Sequence, residues 1–490
     1  MSSAFDWKSP TQLLIGGRWV DAEARQTLSV ENPATQEEVT RVADGTPADA
    51  RAALEAAAQA FATWRQTSVY ERSRLLRRWY DLVEQDRANL GRLMTIENGK
   101  PLSEADAEVT YAASFIEWFS EEAKRAYGRT IPATRAEKRI LVLRQPIGIV
   151  AAITPWNFPA AMITRKVAPA IAAGCSVVLK PASQTPLTAL RLGELLEEAG
   201  APAGLLNIVT SSHAGQIADV WLDDARVRKI TFTGSTGVGK HLMRRAAGNM
   251  QRLSLELGGQ APFVVFGDAD LEVTLDALMV AKFRNGGQSC IAANRVLVEE
   301  NIVDEFLVRA SQRVANLRVG QGLEPGVAVG PMIDAAGREK VMEHIQDALA
   351  HGARLGAGGH AIEGAGYFVE PTLLANVGLD MKIMHEETFG PVLAVSSFKT
   401  EKEAVETANA TEFGLAAYLF TQDAGRAWRV AEALDYGVIG LNDGLPSTSQ
   451  APFGGFKESG LGREGAEEGL DAFLETKYVS WGAVGVGPQG

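Results

Sequence analysis

Short β-rich runs alternating with helix-length segments limit the possible folds of this chain more than any other feature. IGIVAAI (147–153), SVVLK (176–180), LLNIVT (205–210), KITFTG (229–234) and RLSLEL (252–257) recur with room for a helix between each pair. Parallel strands need crossovers of that length, so the pattern predicts a doubly wound α/β layer. A second series follows: APFVVF (261–266), ANRVLVEE (293–300), PVLAVSSF (391–398), LAAYLFT (415–421) and GVIGLN (437–442). Two α/β units with a boundary near Gly258-Gly259 are expected.

Ahead of the first series the chain reads as helical. Thr46-Pro47 followed by Asp49 supplies an N-cap, a proline at the first helical position and an acid in the first turn. Leu54, Ala57, Phe61 and Trp64 then form one apolar face, and Leu75, Leu76, Trp79, Leu82 and Val83 a second, up to a stop at Asn98-Gly99. A third helix is expected from about Ser103 to Ala126. The segment Arg139–Arg144 alternates like an exposed ribbon.

Composition narrows the function. Lys plus Arg is 48 against 60 for Asp plus Glu, a formal charge of −12. That balance disfavours nucleic acid or an anionic membrane as the main partner. Two cysteines in 490 residues exclude a disulfide-built scaffold. The run MSSAFDWKSP has neither basic nor apolar signal character, and the longest uncharged apolar stretch, Val167–Leu179, is 13 residues, short of the roughly 20 a spanning helix needs. A cytoplasmic enzyme is the expectation, with no metal site.

FTGSTGVGK (232–240) follows a strand and opens a helix, where backbone N–H groups favour phosphate. Gly234, Gly239 and Lys240 fit the first seven positions of a P-loop. The eighth, which should be Ser or Thr to hold Mg²⁺, is His241, and this argues against an ATPase. From spacing alone, a plain tight turn and a phosphate site remain equally open. Cys175 lies among small apolar residues and reads as packing. Cys290, in RNGGQSCIAANR, lies outside any apolar period. Taken alone it could be a structural thiol or a nucleophile.

Seven stretches in order decide between these readings: TPWNFP (154–159), LKPASQTP (179–186), FTGSTGVG (232–239), LELGG (255–259), GQSC (287–290), EETFGPV (386–392) and PFGGFKESGLGREG (452–465). Over nearly its whole length the chain resembles the aldehyde dehydrogenase superfamily. The resemblance implies two Rossmann-like α/β domains: an NAD(P)-binding one from 1–127 and 147–258, and a catalytic one at 259–469. An oligomerisation arm from 128–146 and 470–490 implies a homodimer or homotetramer.

Cys290 then matches the nucleophile, which as a thiolate forms a thiohemiacetal and then a thioester. Asn157 matches the side-chain donor of the oxyanion hole, with the Cys290 backbone N–H as its partner. Glu256 matches the general base for hydrolysis. Lys180 matches an adenosine-ribose contact, Ser235 a pyrophosphate contact, Glu387 a nicotinamide-ribose contact and Phe389 a nicotinamide neighbour. Trp156 lines the cleft, and Thr154, Pro155, Gly234, Val238 and Leu257 complete the cofactor set. Strictly NAD-using members usually carry Glu three residues after the lysine. Ser183 stands there, so NADP acceptance, with NAD as the alternative, is expected. TSSHAG (210–215) has less glycine than many members, so the loop near the adenine is expected to differ.

Arg165 and Arg284 resemble the pair that binds the distal carboxylate in succinic semialdehyde dehydrogenases, and Thr448 matches a hydroxyl from the loop before PFGG. A small anionic aldehyde is the expected substrate: succinic semialdehyde, with glutaric semialdehyde or a broader range as alternatives. Some relatives of that type carry a second cysteine two residues after the nucleophile. Here that residue is Ala292, so no redox disulfide is expected. A binding protein that lost the chemistry, and a thiol acyltransferase or esterase, are the competing classes.

Overall fold

The computed structural model describes residues 9–484. Residues 1–8 and 485–490, at the ends of the expected cofactor domain and arm, lie outside the described residues. Two large sheets carry the architecture. In the first, five parallel strands stand in the spatial order Leu206–Ile208, Ser176–Lys180, Ile149–Ile153, Val227–Thr233, Arg252–Glu256. In chain order this is 3-2-1-4-5. The order reverses between Ile149–Ile153 and Val227–Thr233, and in open α/β sheets ligands bind outside the carboxyl ends of strands at such a point. TPWN and FTGSTG are the two loops that leave there.

The second sheet aligns Thr372–Ala375, Val392–Phe398, Ala293–Glu299, Ala261–Val265, Ala416–Phe420 and Val438–Leu441 in parallel. Both sheets are covered on both faces by apolar clusters. This accounts for their near-continuous hydrophobic runs. The fold is the doubly wound α/β pair expected from the alternation.

The helices ahead of the first sheet follow their local signals. Thr46 and Asp49 form a reciprocal capping box on the helix Pro47–Trp64. The second apolar face divides into Val69–Gln85, boxed by Ser68 and Glu71, and Arg87–Asn98, which ends on Gly99 at φ 90°. The third helix runs Leu102–Glu122. Strands of three to seven residues at Leu13–Ile15, Arg18–Val20, Thr27–Asn32 and Glu37–Ala43 escaped the sequence reading. The first two extend one edge of the first sheet antiparallel.

Its other edge is closed by Gly460–Leu461, which pairs antiparallel with Leu255 and Glu256. The GLGREG run, read as part of the second unit, thus completes the first sheet. Arg139–Pro146 is the centre of a three-stranded ribbon between Arg129–Ile131 and Leu474–Trp481. No described helix is long and apolar enough to cross a membrane.

Candidate active site

Cys290 is presented by a turn in which Asn285, Gly286 and Gly287 have φ of 53°, 62° and 74°. Glycine takes such values without strain; Asn285 carries a Cβ there and is buried. The turn packs against the connection between the two sheets. A Cβ on Gly259 would lie 2.2 Å from the Cys290 carbonyl oxygen, so only glycine lets the chain pass. Asn157 follows the switch-point strand Ile149–Ile153. Its Nδ2 donates to Gln288 O at 3.2 Å, two residues before the cysteine, and its Oδ1 accepts from Phe158 N at 3.1 Å. The Cys290 backbone N–H donates to no group among the described residues. One amide hydrogen of Asn157 and one backbone hydrogen are therefore free at the same place.

Burial and the neighbouring Glu387 carboxylate push the Cys290 thiol up to about 12, against the favourable fields of Arg165 and Arg284. The residue is half-buried, and these opposing influences set how readily its thiol ionises. Glu256 ends the strand Arg252–Glu256. It is buried, both its oxygens lack hydrogen-bond partners, and burial plus the nearby Glu464 carboxylate hold it well above the usual carboxylate range. A carboxyl so placed is poised to carry a proton.

Arg165 and Lys166 lie on the helix Ala161–Ala173, and Glu464 binds both. The Arg165–Glu464 separation is 2.6 Å, while Arg165 Nη2 has no partner. Burial is the largest influence and works against the Arg165 cation, but Glu464 together with Tyr111, Glu256 and Cys290 holds its pKa above the ordinary value. Glu464, one of the GLGREG residues, was not foreseen as the arginine's partner.

Arg284 differs. It has no ion pair among the described residues, and its guanidinium lies 4.7 Å from the centre of the Phe158 ring. It lines a cavity of about 560 Å³ together with Glu104, Tyr111, Phe158 and Ser447. Arg165 and Thr448 are not among the lining residues. The Thr448 hydroxyl donates to Gln450 Oε1, whereas Ser447 Oγ meets Tyr111 OH at 2.5 Å. The hydroxyl facing this cavity from the loop is Ser447's, one residue before the expected Thr448.

The residues expected to meet a nucleotide gather at the switch point. Ser235 precedes the helix Thr236–Ala246, and its side chain caps none of that helix's N–H groups. A Cβ on Gly237 would meet nothing within 4 Å, so the first turn opens outward, with Val238 exposed beside it. Cβ atoms on Gly234 and Gly239 would strike Phe232 at 2.4 Å and Leu257 at 2.5 Å. Those two glycines and the buried Leu257 serve packing, while Gly237 leaves room for a ligand. The Lys180 ammonium, at its strand's carboxyl end, makes no hydrogen bond among the described residues, and burial brings it down to about 8. Ser183 Oγ donates to Gln184 Oε1 at 3.2 Å. Thr154 N donates to Lys180 O at 3.1 Å, and the Thr154 hydroxyl is buried without a partner.

Pro155 leads to Trp156, whose ring meets Phe389 edge-on with centroids 5.6 Å apart. Phe389 sits at φ 54° in a loop held by Lys340 Nζ on Glu387 O at 2.5 Å and by His344 on the Thr388 hydroxyl at 3.1 Å. Glu387 accepts from Gly259 N at 3.1 Å, and burial pushes it up to about 7. An ammonium without hydrogen bonds and an open helix N-terminus, at the carboxyl ends of the strands on either side of Ile149–Ile153, fit a dinucleotide. In the TSSHAG loop, Asp44 accepts from Ser212 N at 2.8 Å, and His213 precedes the helix Ala214–Asp223.

Residues 19–479 match the aldehyde dehydrogenase family. The chain belongs to that family. This aldehyde dehydrogenase, and so NAD(P)-dependent oxidoreductase, is 51% identical to the glutarate-semialdehyde dehydrogenase of Pseudomonas aeruginosa, with 96% of this chain and 98% of that one covered. It is 50% identical to the NADP(+)-linked succinate-semialdehyde dehydrogenase GabD of Escherichia coli, covering 96% and 98%. It is 52% identical to a 3-sulfolactaldehyde dehydrogenase of Pseudomonas putida, covering 96% and 97%. A crystal structure titled as an E. coli NADP-dependent enzyme superposes with a TM-score of 0.96 at 50% identity, over 97% of this chain and 98% of that one. Cys175 and Cys290 are both free, and the described residues hold no metal-like cluster of His, Cys, Asp and Glu.

Proposed function

We propose that this aldehyde dehydrogenase oxidises a small aldehyde bearing a distal anion, succinic semialdehyde foremost, with NADP accepted at the Lys180–Ser183 position. One observation carries the substrate class: Arg284, without an ion pair, faces a 560 Å³ cavity and stands six residues before the nucleophile. A guanidinium left free beside aromatic and hydroxyl groups suits a carboxylate. The relatives named for glutarate semialdehyde, succinate semialdehyde and 3-sulfolactaldehyde support an anionic substrate. One methylene discriminates by only about 1–3 kcal/mol, so glutaric semialdehyde is the second reading. Ser447 replaces Thr448 as the proposed hydroxyl contact, and Arg165 acts through its charge, shared with Glu464.

Cys290 Sγ attacks the aldehyde carbon. Glu256, unpartnered and within electrostatic reach of the sulfur, takes the thiol proton. Asn157 Nδ2 and the Cys290 N–H stabilise the oxyanion of the thiohemiacetal; losing one such donor typically costs about 10²–10³ in rate. An oxidised nicotinamide held in the cleft would supply the hydride acceptor. Glu256, having passed that proton to solvent water, then takes one from the water that hydrolyses the Cys290 thioester. Lys180 and Ser235 hold the nucleotide, and Glu387 orients its ribose.

We assign 1–127 and 147–258 to the cofactor domain, 259–469 to the catalytic domain except for the strand Gly460–Leu461, and 128–146 with 470–490 to an oligomerisation arm. The ribbon's outer strands have no further partner among the described residues, and Tyr478 and Trp481 are exposed; this supports a homodimer or homotetramer.

Comparing kcat/KM for succinic semialdehyde, glutaric semialdehyde and an uncharged aldehyde of similar length tests the reading, with Cys290→Ala as control. The anionic substrates should win and the variant should reduce no cofactor. A preference for the uncharged aldehyde would refute the anion site.

A further inference from the structure

One short stretch, 100–108, touches both halves of the oxyanion site. Lys100 and Glu108 are buried and ion-paired. Lys100 Nζ donates to the Asn157 carbonyl at 2.7 Å. The other carboxylate oxygen of Glu108 accepts from Ala160 N at 3.0 Å and Ala161 N at 3.3 Å, fixing the start of the helix that follows Asn157. This secures the half that comes from the first sheet.

The second half is the nucleophile turn. Its first residue, Asn285, gives its backbone N–H to Glu104 Oε2 at 2.7 Å. Its side chain donates to the Asn157 carbonyl at 2.8 Å, the oxygen Lys100 also binds. Asn285 is the one non-glycine of the three consecutive left-handed residues, so its conformation needs outside support. A buried backbone N–H left without an acceptor is costly, and the chain would move to satisfy it. Cys290 lies five residues further along.

We propose that Glu104 is a positioning residue: with the Lys100–Glu108 pair, it registers the Cys290 turn against Asn157 so that sulfur and oxyanion donors converge. The stretch works as a clamp between elements from two different sheets. What Glu104 supplies is an acceptor oxygen at a fixed reach, not a charge, and it acts on the reaction through Asn285. This rests on Cys290 and Asn157 being nucleophile and oxyanion donor.

The test compares Glu104→Ala, Glu104→Gln and Cys290→Ala in the full-length enzyme, reading steady-state constants, the burst phase of cofactor reduction and the cofactor Kd. A displacement near 1 Å at reacting groups costs roughly 10²-fold. Glu104→Ala should therefore lose about 10–100-fold in kcat and in the burst rate, with KM and cofactor Kd within about twofold. Glu104→Gln keeps an acceptor oxygen at the same reach and should recover to within about threefold of wild type. Wild-type turnover in Glu104→Ala, equal damage in Glu104→Gln, or a loss confined to KM would overturn the proposal. Should Glu104→Ala fail to fold, Glu104→Asp, one methylene short, should show the same kcat loss with an unchanged melting curve; wild-type turnover there would be equally fatal. An active Cys290→Ala enzyme would instead remove the underlying reading of the site, whatever Glu104 does.

Discussion

Gly259→Ala adds one methyl at the closest approach between the sheet connection and the nucleophile. The new Cβ would stand 2.2 Å from the Cys290 carbonyl oxygen and 3.4 Å from both its carbonyl carbon and Leu415 Cβ. Close C···O contacts settle at roughly 3.3 Å, so about 1 Å of movement is required. Backbone is the obstacle, and no side chain can swing aside. Gly259 is not left-handed, so the effect is steric alone. Overpacking of this kind costs about 1–3 kcal/mol, a loss of roughly a few degrees in Tm. The same displacement at the sulfur should lower kcat by about 10²-fold. Gly258→Ala is the control: its Cβ would meet side-chain atoms alone, Glu387 Oε2 at 3.0 Å, Phe413 Cε1 at 3.4 Å and Thr236 Oγ1 at 3.5 Å, and no backbone. That variant should keep kcat within about threefold and raise the KM for cofactor. Steady-state kinetics with both substrates, alongside thermal melts, separate the two. A Gly259→Ala enzyme with normal kcat, or one no worse than Gly258→Ala, would refute the close-approach argument.

Arg284→Met keeps length and removes charge. Charge-assisted hydrogen bonds are worth about 1.5–3 kcal/mol, and partial exposure reduces this to about 1–2. We expect kcat/KM to fall about 5–30-fold for anionic aldehydes and to stay within twofold for an uncharged one; equal losses would show that the residue is structural. Lys180 yields a pH prediction. Burial brings its ammonium down to about 8, so it is charged below that pH and loses its charge above it. NADP binding should therefore weaken about tenfold between pH 7 and pH 9, and NAD binding less, by fluorescence titration. A flat NADP profile would exclude the ammonium as the phosphate contact.

The alternation of β-rich runs carried both sheets, because buried parallel strands must be apolar throughout and that pattern is visible residue by residue. Thr46 and Asp49 revealed a helix start for a similarly local reason. What escaped was non-local or very short. Leu13–Ile15 and Arg18–Val20 are too brief to show a period. Glu464 meets Arg165 only through the fold, and no spacing rule links them. Ser447 and Thr448 are adjacent hydroxyls in an irregular loop, and backbone direction alone decides which one faces the cavity. Cys290 was legible as a position, but the charged groups that act on it, Glu387, Arg165 and Glu256, come from distant segments. Glu104 carries no signal of its own in the sequence, being one acid in the first turn of the helix Leu102–Glu122.

The strand Gly460–Leu461 beside Glu256 carries a consequence for synthesis. A nascent chain can stack the five parallel strands once residue 256 has left the ribosome, yet the rim next to Glu256 stays open until Gly460–Leu461 has emerged. Cys175 and Ile147 add to this dependence, since both bond to the Phe473 carbonyl. A prematurely stopped chain would thus hold most of a nucleotide cleft and no finished reaction chamber.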